Sequence, residues 1–241
     1  MSKIVFAGKS DGDEQWISVS DLMAGLMMVF LLIAIIYSNE AEERYDNVTE
    51  MATEWRAGEE EIYRALEREF RGDLDKWGAE IDKQSLTIRF LSPKVLFNDG
   101  QRDVSEKFKD ILDDFIPRYI ELLFTKFADN IDEIRIEGHT SSGFYGADDE
   151  KAAFIGNMAL SQARTRSVLD YSLNISDVVK FSPWMIKTVG AHGLSSARLI
   201  YREGKEDPER SRRVEFTIKT KAKEAMFKIL EKVAPSFEKS F

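Results

Sequence analysis

The chain has 241 residues, room for one compact domain plus extra segments, and carries 43 acidic against 34 basic side chains for a formal charge of -9. That balance leaves no basic surplus to neutralise phosphates, which argues against a nucleic-acid partner. The absence of cysteine excludes disulfides and thiolate metal sites, and two histidines are too few for a histidine-rich metal centre.

Residues 1–15 read as a short polar tail. From Trp16 to Tyr37 the chain runs WISVSDLMAGLMMVFLLIAIIY, about the length of a bilayer-crossing helix with one charge, Asp21. The N-terminal flank mixes Lys3 and Lys9 with Asp11, Asp13 and Glu14, and the segment after the run is bulky and acidic. Neither feature suits a cleaved signal peptide, so 16–38 reads as a retained single span. Lys3 and Lys9 against the more distant Arg44 favour a cytoplasmic N-terminus and a periplasmic bulk. A carboxylate facing lipid would cost roughly 3 kcal/mol, a cost that protonation removes, so Asp21 is a candidate ion carrier. Ser20 and Asp21 would equally suit a helix start, where exposed amides favour such side chains.

Residues 39–82 are rich in Glu and Arg. Tyr45, Val48, Ala52, Trp55, Ile62 and Leu66 follow a 3-4 spacing broken at Glu59. This predicts a linker helix, either solvated or paired with a second copy as a short parallel coiled coil. Residues 83–222 have a globular texture. Ser85–Leu91 alternates as a strand. Residues 102–128 carry apolar positions at helical spacing, with Pro117 expected to kink or divide the helix. Ile131–Glu137 predicts a second strand, 158–173 a helix, Met185–Val189 a third strand and Arg213–Lys219 a fourth. Residues 223–241 are expected to form a helical tail. The sum is an α+β chain, a sheet covered by helices behind a single N-terminal span.

Several motifs carry a resemblance. Trp16 precedes Asp21 by five residues, and a Met/Phe/Leu-rich run follows with small residues at Ala24 and Gly25. This stretch resembles the span of flagellar stator B subunits and is closer still to that of the B subunits of Zorya anti-phage defence motors. In the C-terminal region, Val95-Leu96-Phe97, Ile136-Glu137-Gly138-His139-Thr140, Asn157–Arg164, Gly190-Ala191-His192-Gly193 and Ser211-Arg212-Arg213-Val214-Glu215 follow the order of an OmpA-like peptidoglycan-binding domain. That resemblance implies a βαβαβ-type sheet with helices on one side. It also implies a ligand groove at Asn157, Leu160, Arg164, Arg213, His139 and Ser141. Arg164 offers a rigid fork for a wall-peptide carboxylate, although an ordinary helix ion pair with Asp170 would explain it as well. His139 reads as a structural residue rather than a catalyst. Ser141, followed by Ser142, stands where the family has an Asp that binds the ligand's ammonium group, and Asp148 or Asp149 in the following loop is the candidate replacement. The loop from 142 to 156 is longer than usual in that family.

Taken with the span, the resemblance implies no bond-making chemistry, no cofactor beyond a transported H⁺ or Na⁺, and Asp21 as carrier. It further implies a homodimer inside a pentamer of a multi-span A subunit, anchored to peptidoglycan from the bacterial inner membrane. A flagellar stator subunit and a passive membrane-to-wall tether are the competing functions.

Overall fold

The computed structural model describes residues 11–98 and 100–222. The expected helical tail 223–241 and residues 1–10 lie outside them. The chain divides into two compact units, one ending at Thr53 and the next starting at Glu54.

The described residues of the first unit, 11–53, are all helix. The helix α1 (Asp11–Phe70) begins within the expected tail and takes in the span. Val19–Glu43 is long and apolar enough to cross a membrane, with a mean hydropathy of 2.5. Its large side chains, Leu22, Phe30 and Leu31 among them, are well exposed. Water penalises such a surface by about 25 cal/mol per Å², whereas lipid does not.

The second unit is built on five strands in the order β1-β2-β7-β3-β4. These are β1 (Ala79–Asp82), β2 (Thr87–Phe90), β3 (Ile131–His139), β4 (Val189–Gly193) and β7 (Arg213–Thr220). All neighbours are antiparallel except β3 and β4. A small hairpin, β5 (Tyr201–Arg202) and β6 (Lys205–Glu206), stands apart. Short helices α2 (Leu74–Trp77), α3 (Pro93–Leu96), α6 (Ser182–Thr188) and α7 (Pro208–Ser211) punctuate the chain around the long α4 (Glu106–Phe127) and α5 (Glu150–Asn174). Strand alternation divides the sheet into two faces. Ile88, Phe90, Ile134, Ile136, Val214, Phe216 and Ile218 form one. The helix α4 lies on this face, with Phe115 5.1 Å from Phe216 and 5.2 Å from Phe90, ring centre to ring centre. The helix α5 approaches the same face where Gly138 leaves room, because a side chain there would strike Thr165 at 2.6 Å. The opposite face carries Thr87, Arg89, Glu137, His139, Arg213, Glu215 and Thr217.

Four expectations are corrected. First, Ile62 and Leu66, assigned to a linker seam, are fully buried in the domain core with Phe70, whose ring lies 5.2 Å from Phe115. Arg118 secures this end of α1 through the Glu69 carboxylate at 2.8 Å, the Glu69 carbonyl at 2.7 Å and Asp73 at 3.1 Å. The domain therefore starts well before residue 83. Second, Ala79–Asp82 is a strand, entered through Gly78, which holds φ +61 and closes α2. Third, Met185–Thr188 is the end of helix α6, opened by Pro183, and the strand begins only at Val189. Met185 and Thr188 are buried while Ile186 and Lys187 between them are exposed, the i, i+3 spacing of one helical face. Fourth, Pro117 does not divide α4, because buried Phe115, Ile116, Tyr119 and Ile120 anchor the helix on both sides of it.

Burying each of Ile62, Leu66 and Phe70 contributes about 1.5–3 kcal/mol, together comparable with the whole stability of a typical domain. A fragment of residues 83–222 should therefore fail to unfold cooperatively, while one of residues 54–222 should melt as a single transition. Within the longer fragment, Phe70→Ala should cost about 3–5 kcal/mol in urea titration.

Candidate functional site

Asp21 lies in the interior of α1, ten residues after its first residue Asp11. That is nearly three turns at 3.6 residues per turn. The exposed amides of a helix start belong to its first turn. The capping explanation of Asp21 therefore fails. The carboxylate sits two residues inside the apolar segment that begins at Val19.

The second site is a groove between α5, the α3 region and the start of β7. Phe97, His139, Ser161, Arg164, Arg212 and Arg213 line its pocket. Asn157, Leu160 and Arg164 share a face of α5 by their spacing. The Arg164 Nε donates to the Gln101 carbonyl at 2.9 Å, and its guanidinium lies over the Phe97 ring at 4.7 Å. A stacked and tethered guanidinium loses little freedom when it meets a carboxylate. The other candidates differ from expectation. Asn157 is buried, and its Nδ2 donates to the carbonyls of Ser141 at 3.1 Å and Gly143 at 3.2 Å. Through these two bonds it holds the 141–143 loop. Leu160 is half-buried.

Arg213 is also buried. Its Nε donates to Glu215 Oε1 at 2.6 Å, and its Nη1 to the carbonyls of Arg198 and Ser211, both at 3.1 Å. Its partners are internal. Its neighbour Arg212 lines the pocket as well, with a buried Nε that has no hydrogen-bond partner among the described residues. The sequence reading missed Arg212. The signal lay in the tandem arginines, since β7 begins at Arg213 and its alternation turns that residue to the polar face.

His139 is sealed inside, with Nε2 3.6 Å from Glu215 Oε2 and 3.8 Å from Glu137 Oε2. Ligand atoms of these three residues lie within 4.8 Å of one another. Arg213 on Glu215 and Arg198 on Glu137, at 3.3 Å, balance both carboxylates, so the trio is a charge-neutral network. Burial pushes the His139 pKa down, against the pull of Glu215. Burial alone would raise the Glu215 carboxyl, but His139 and Arg213 hold it down at about 2.

Ser141 is half-buried. Beside it, the Ser142 amide donates to Glu206 Oε1 at 3.0 Å and its hydroxyl to Oε2. Asp149, one of two expected replacements for the missing acid, caps α5 by accepting from the Ala152 amide at 2.7 Å. The helix starts at Glu150, so the loop is shorter than the expected 142–156. Asp148 is exposed. Sequence reasoning overlooked Glu206, which pairs with Tyr201 in the hairpin and lies 64 residues from Ser142.

No family model matches the chain. It is 45% identical over 224 residues to the Zorya protein ZorB of Escherichia coli, an alignment covering 92% of this chain and 95% of that one. A MotB-like protein from Desulfovibrio vulgaris superimposes with a TM-score of 0.50 at 22% identity, over 70% of this chain and 98% of that one. That likeness shows the fold. The cell wall anchor of the T6SS from Pseudomonas aeruginosa gives a TM-score of 0.44 at 19% identity, over 64% and 96%.

The buried network sets an acid limit. His139 and Glu215 both have folded pKa values below their usual 6.5 and 4.5. The unfolded chain therefore binds protons first, and stability falls as pH drops. Melting temperature should decline below about pH 6.5 through His139 and again between 4.5 and about 2 through Glu215. His139→Asn should flatten the first decline and shrink the second, because Glu215 then loses one of the two groups that hold it down. Parallel curves for the two proteins above pH 5 would show that His139 does not contribute.

Proposed function

The chain belongs to the ZorB family, and from that premise we propose that it is the wall-anchored B subunit of an ion-driven inner-membrane motor acting in anti-phage defence. The observation that carries the reading is Asp21, a carboxylate well inside a helix at the edge of a membrane-length apolar segment. A group there can take up H⁺ or Na⁺ from a wet pocket and release it elsewhere. The membrane potential supplies about 2.3 kcal/mol per charge per 100 mV to drive the cycle. In this reading the N-terminus is cytoplasmic and the OmpA-like domain periplasmic. Two copies sit inside a pentamer of a multi-span A subunit. Peptidoglycan, gripped through Arg164 and Arg212, holds the dimer still while the A subunits turn. The 45% identity to ZorB favours defence over motility.

Asp21→Asn keeps size and polarity but cannot cycle an ion. It should abolish phage protection and ion flux in vesicles while the A subunit still co-purifies. Protection at the wild-type level with Asn would refute the carrier role.

The dimer has its own test, because the native chain has no cysteine. Tyr45 and Ala52 are exposed, whereas Ile62 is sealed in the core. Single cysteines at 45 or 52 should crosslink in membranes, and one at 62 should not. Failure of both exposed positions would argue against a paired linker.

A further inference from the structure

The loop between β3 and α5 is held far more firmly than its exposure requires. Asn157 takes the carbonyls of Ser141 and Gly143, Glu206 takes the amide and hydroxyl of Ser142, and Gly146 turns the chain at φ +81. Such a loop carries two adjacent aromatics to the surface. Tyr145 is fully exposed, and Phe144 is 40% exposed. The Phe144 ring is seated on α5 at Gly156, where an added Cβ would meet three ring carbons at 2.6, 2.7 and 2.8 Å. Gly156 immediately precedes Asn157, eight residues from Arg164, about 12 Å along the helix. An ordered aromatic face next to hydroxyls and a carboxylate suits a pyranose, whose C–H face stacks on a ring while its hydroxyls bond to polar neighbours.

We propose that Phe144, positioned by the bare backbone of Gly156, is the sugar-binding wall of the groove. The ligand is then an extended sugar-linked peptide, with its carboxylate at Arg164 and its sugar on the Phe144 ring. This rests on the wall-binding reading and extends it from the peptide to the glycan. Gly156 acts as a positioning residue, since any side chain there displaces the ring. The peptide carboxylate is assigned to Arg164 and the sugar to Phe144, so probes with and without the sugar separate the two ends by experiment.

The full chain in detergent is titrated with two probes: a disaccharide-tetrapeptide released from purified cell wall, and the same tetrapeptide without sugar. Wild-type protein should bind the sugar-bearing probe more tightly. Phe144→Ala should weaken that probe by about tenfold and leave the free tetrapeptide unchanged, whereas Phe144→Trp should retain binding. Gly156→Ala should reproduce the Phe144→Ala loss with the ring still present. It should not lower the melting temperature, because Ala favours helix over Gly. Arg164→Ala should weaken both probes. Equal affinity of wild-type protein for the two probes, or equal losses on both with Phe144→Ala, would overturn the sugar assignment alone. Wild-type protein that binds neither probe would overturn the wall-binding reading as well.

Discussion

The domain depends on one contact, the meeting of Phe70, Phe115 and Phe216. Phe115 lies 5.2 Å from Phe70 and 5.1 Å from Phe216, so the end of α1, the middle of α4 and the central strand β7 share one aromatic cluster. Each ring buries a large apolar area, and tilted pairs gain further from their quadrupoles. Arg118 closes the cluster from outside, stacked on Phe70 at 5.0 Å and paired with Glu69 and Asp73. Those anions, outweighing the cost of burial, push the Arg118 pKa up. A helix whose final turns supply core residues cannot be a detachable linker.

The strand β7 carries three jobs by alternation. Val214, Phe216 and Ile218 fill the core. Arg213, Glu215 and Thr217 turn to the polar face, opposite His139, Glu137 and Arg135 of β3. Arg212, just before the strand, faces the pocket. Buried charge is tolerable only when paired, and here each carboxylate of Glu137 and Glu215 has a guanidinium. Arg89 joins Glu215 at 2.9 Å and Asp82 at 2.8 Å, which extends the network to the edge strand. The polar face thereby holds β1 and β7 in register around β2.

What could be read from the sequence follows from how local each signal is. Strands β2, β3 and β7 and helix α4 announce themselves by apolar period, and the α+β class follows from them. The buried face of α5 is instead mostly polar, with Asn157, Ser161, Thr165 and Ser172 beside Val168. Strand β1 did not announce itself, because Ala79-Glu80-Ile81-Asp82 alternates over only four residues at the end of a Glu-rich helical stretch, too short a signal to stand without its pairing to β2. The α1 seam misled, since a 3-4 spacing records that a face is buried and not what buries it. Ile62 and Leu66 face their own domain. In the groove, charge type was legible but direction was not. Whether an arginine meets ligand or a carboxylate two residues away is decided by strand alternation at residue 213. Glu206 reaches Ser142 only through the hairpin, which nothing near residue 141 foretells.

In the proposed wall-anchoring role the grip must resist torque and so needs slow release, and slow release favours groups fixed before the ligand arrives. Arg164 is stacked on Phe97 and tethered to Gln101. Asn157 spends its amide on the loop, converting a potential ligand contact into a support for the residues beyond it. Gly193 sits against Gln162 so tightly that a Cβ would meet its amide nitrogen at 2.3 Å, and Gly138 sits likewise against Thr165. These two close approaches fix α5 to β3 and β4, so the groove's main helix cannot shift without unpacking the sheet. Ser141, where the OmpA-like resemblance implies an Asp, brings no charge to the groove. The fixed scaffold around it is where the remaining affinity would have to come from.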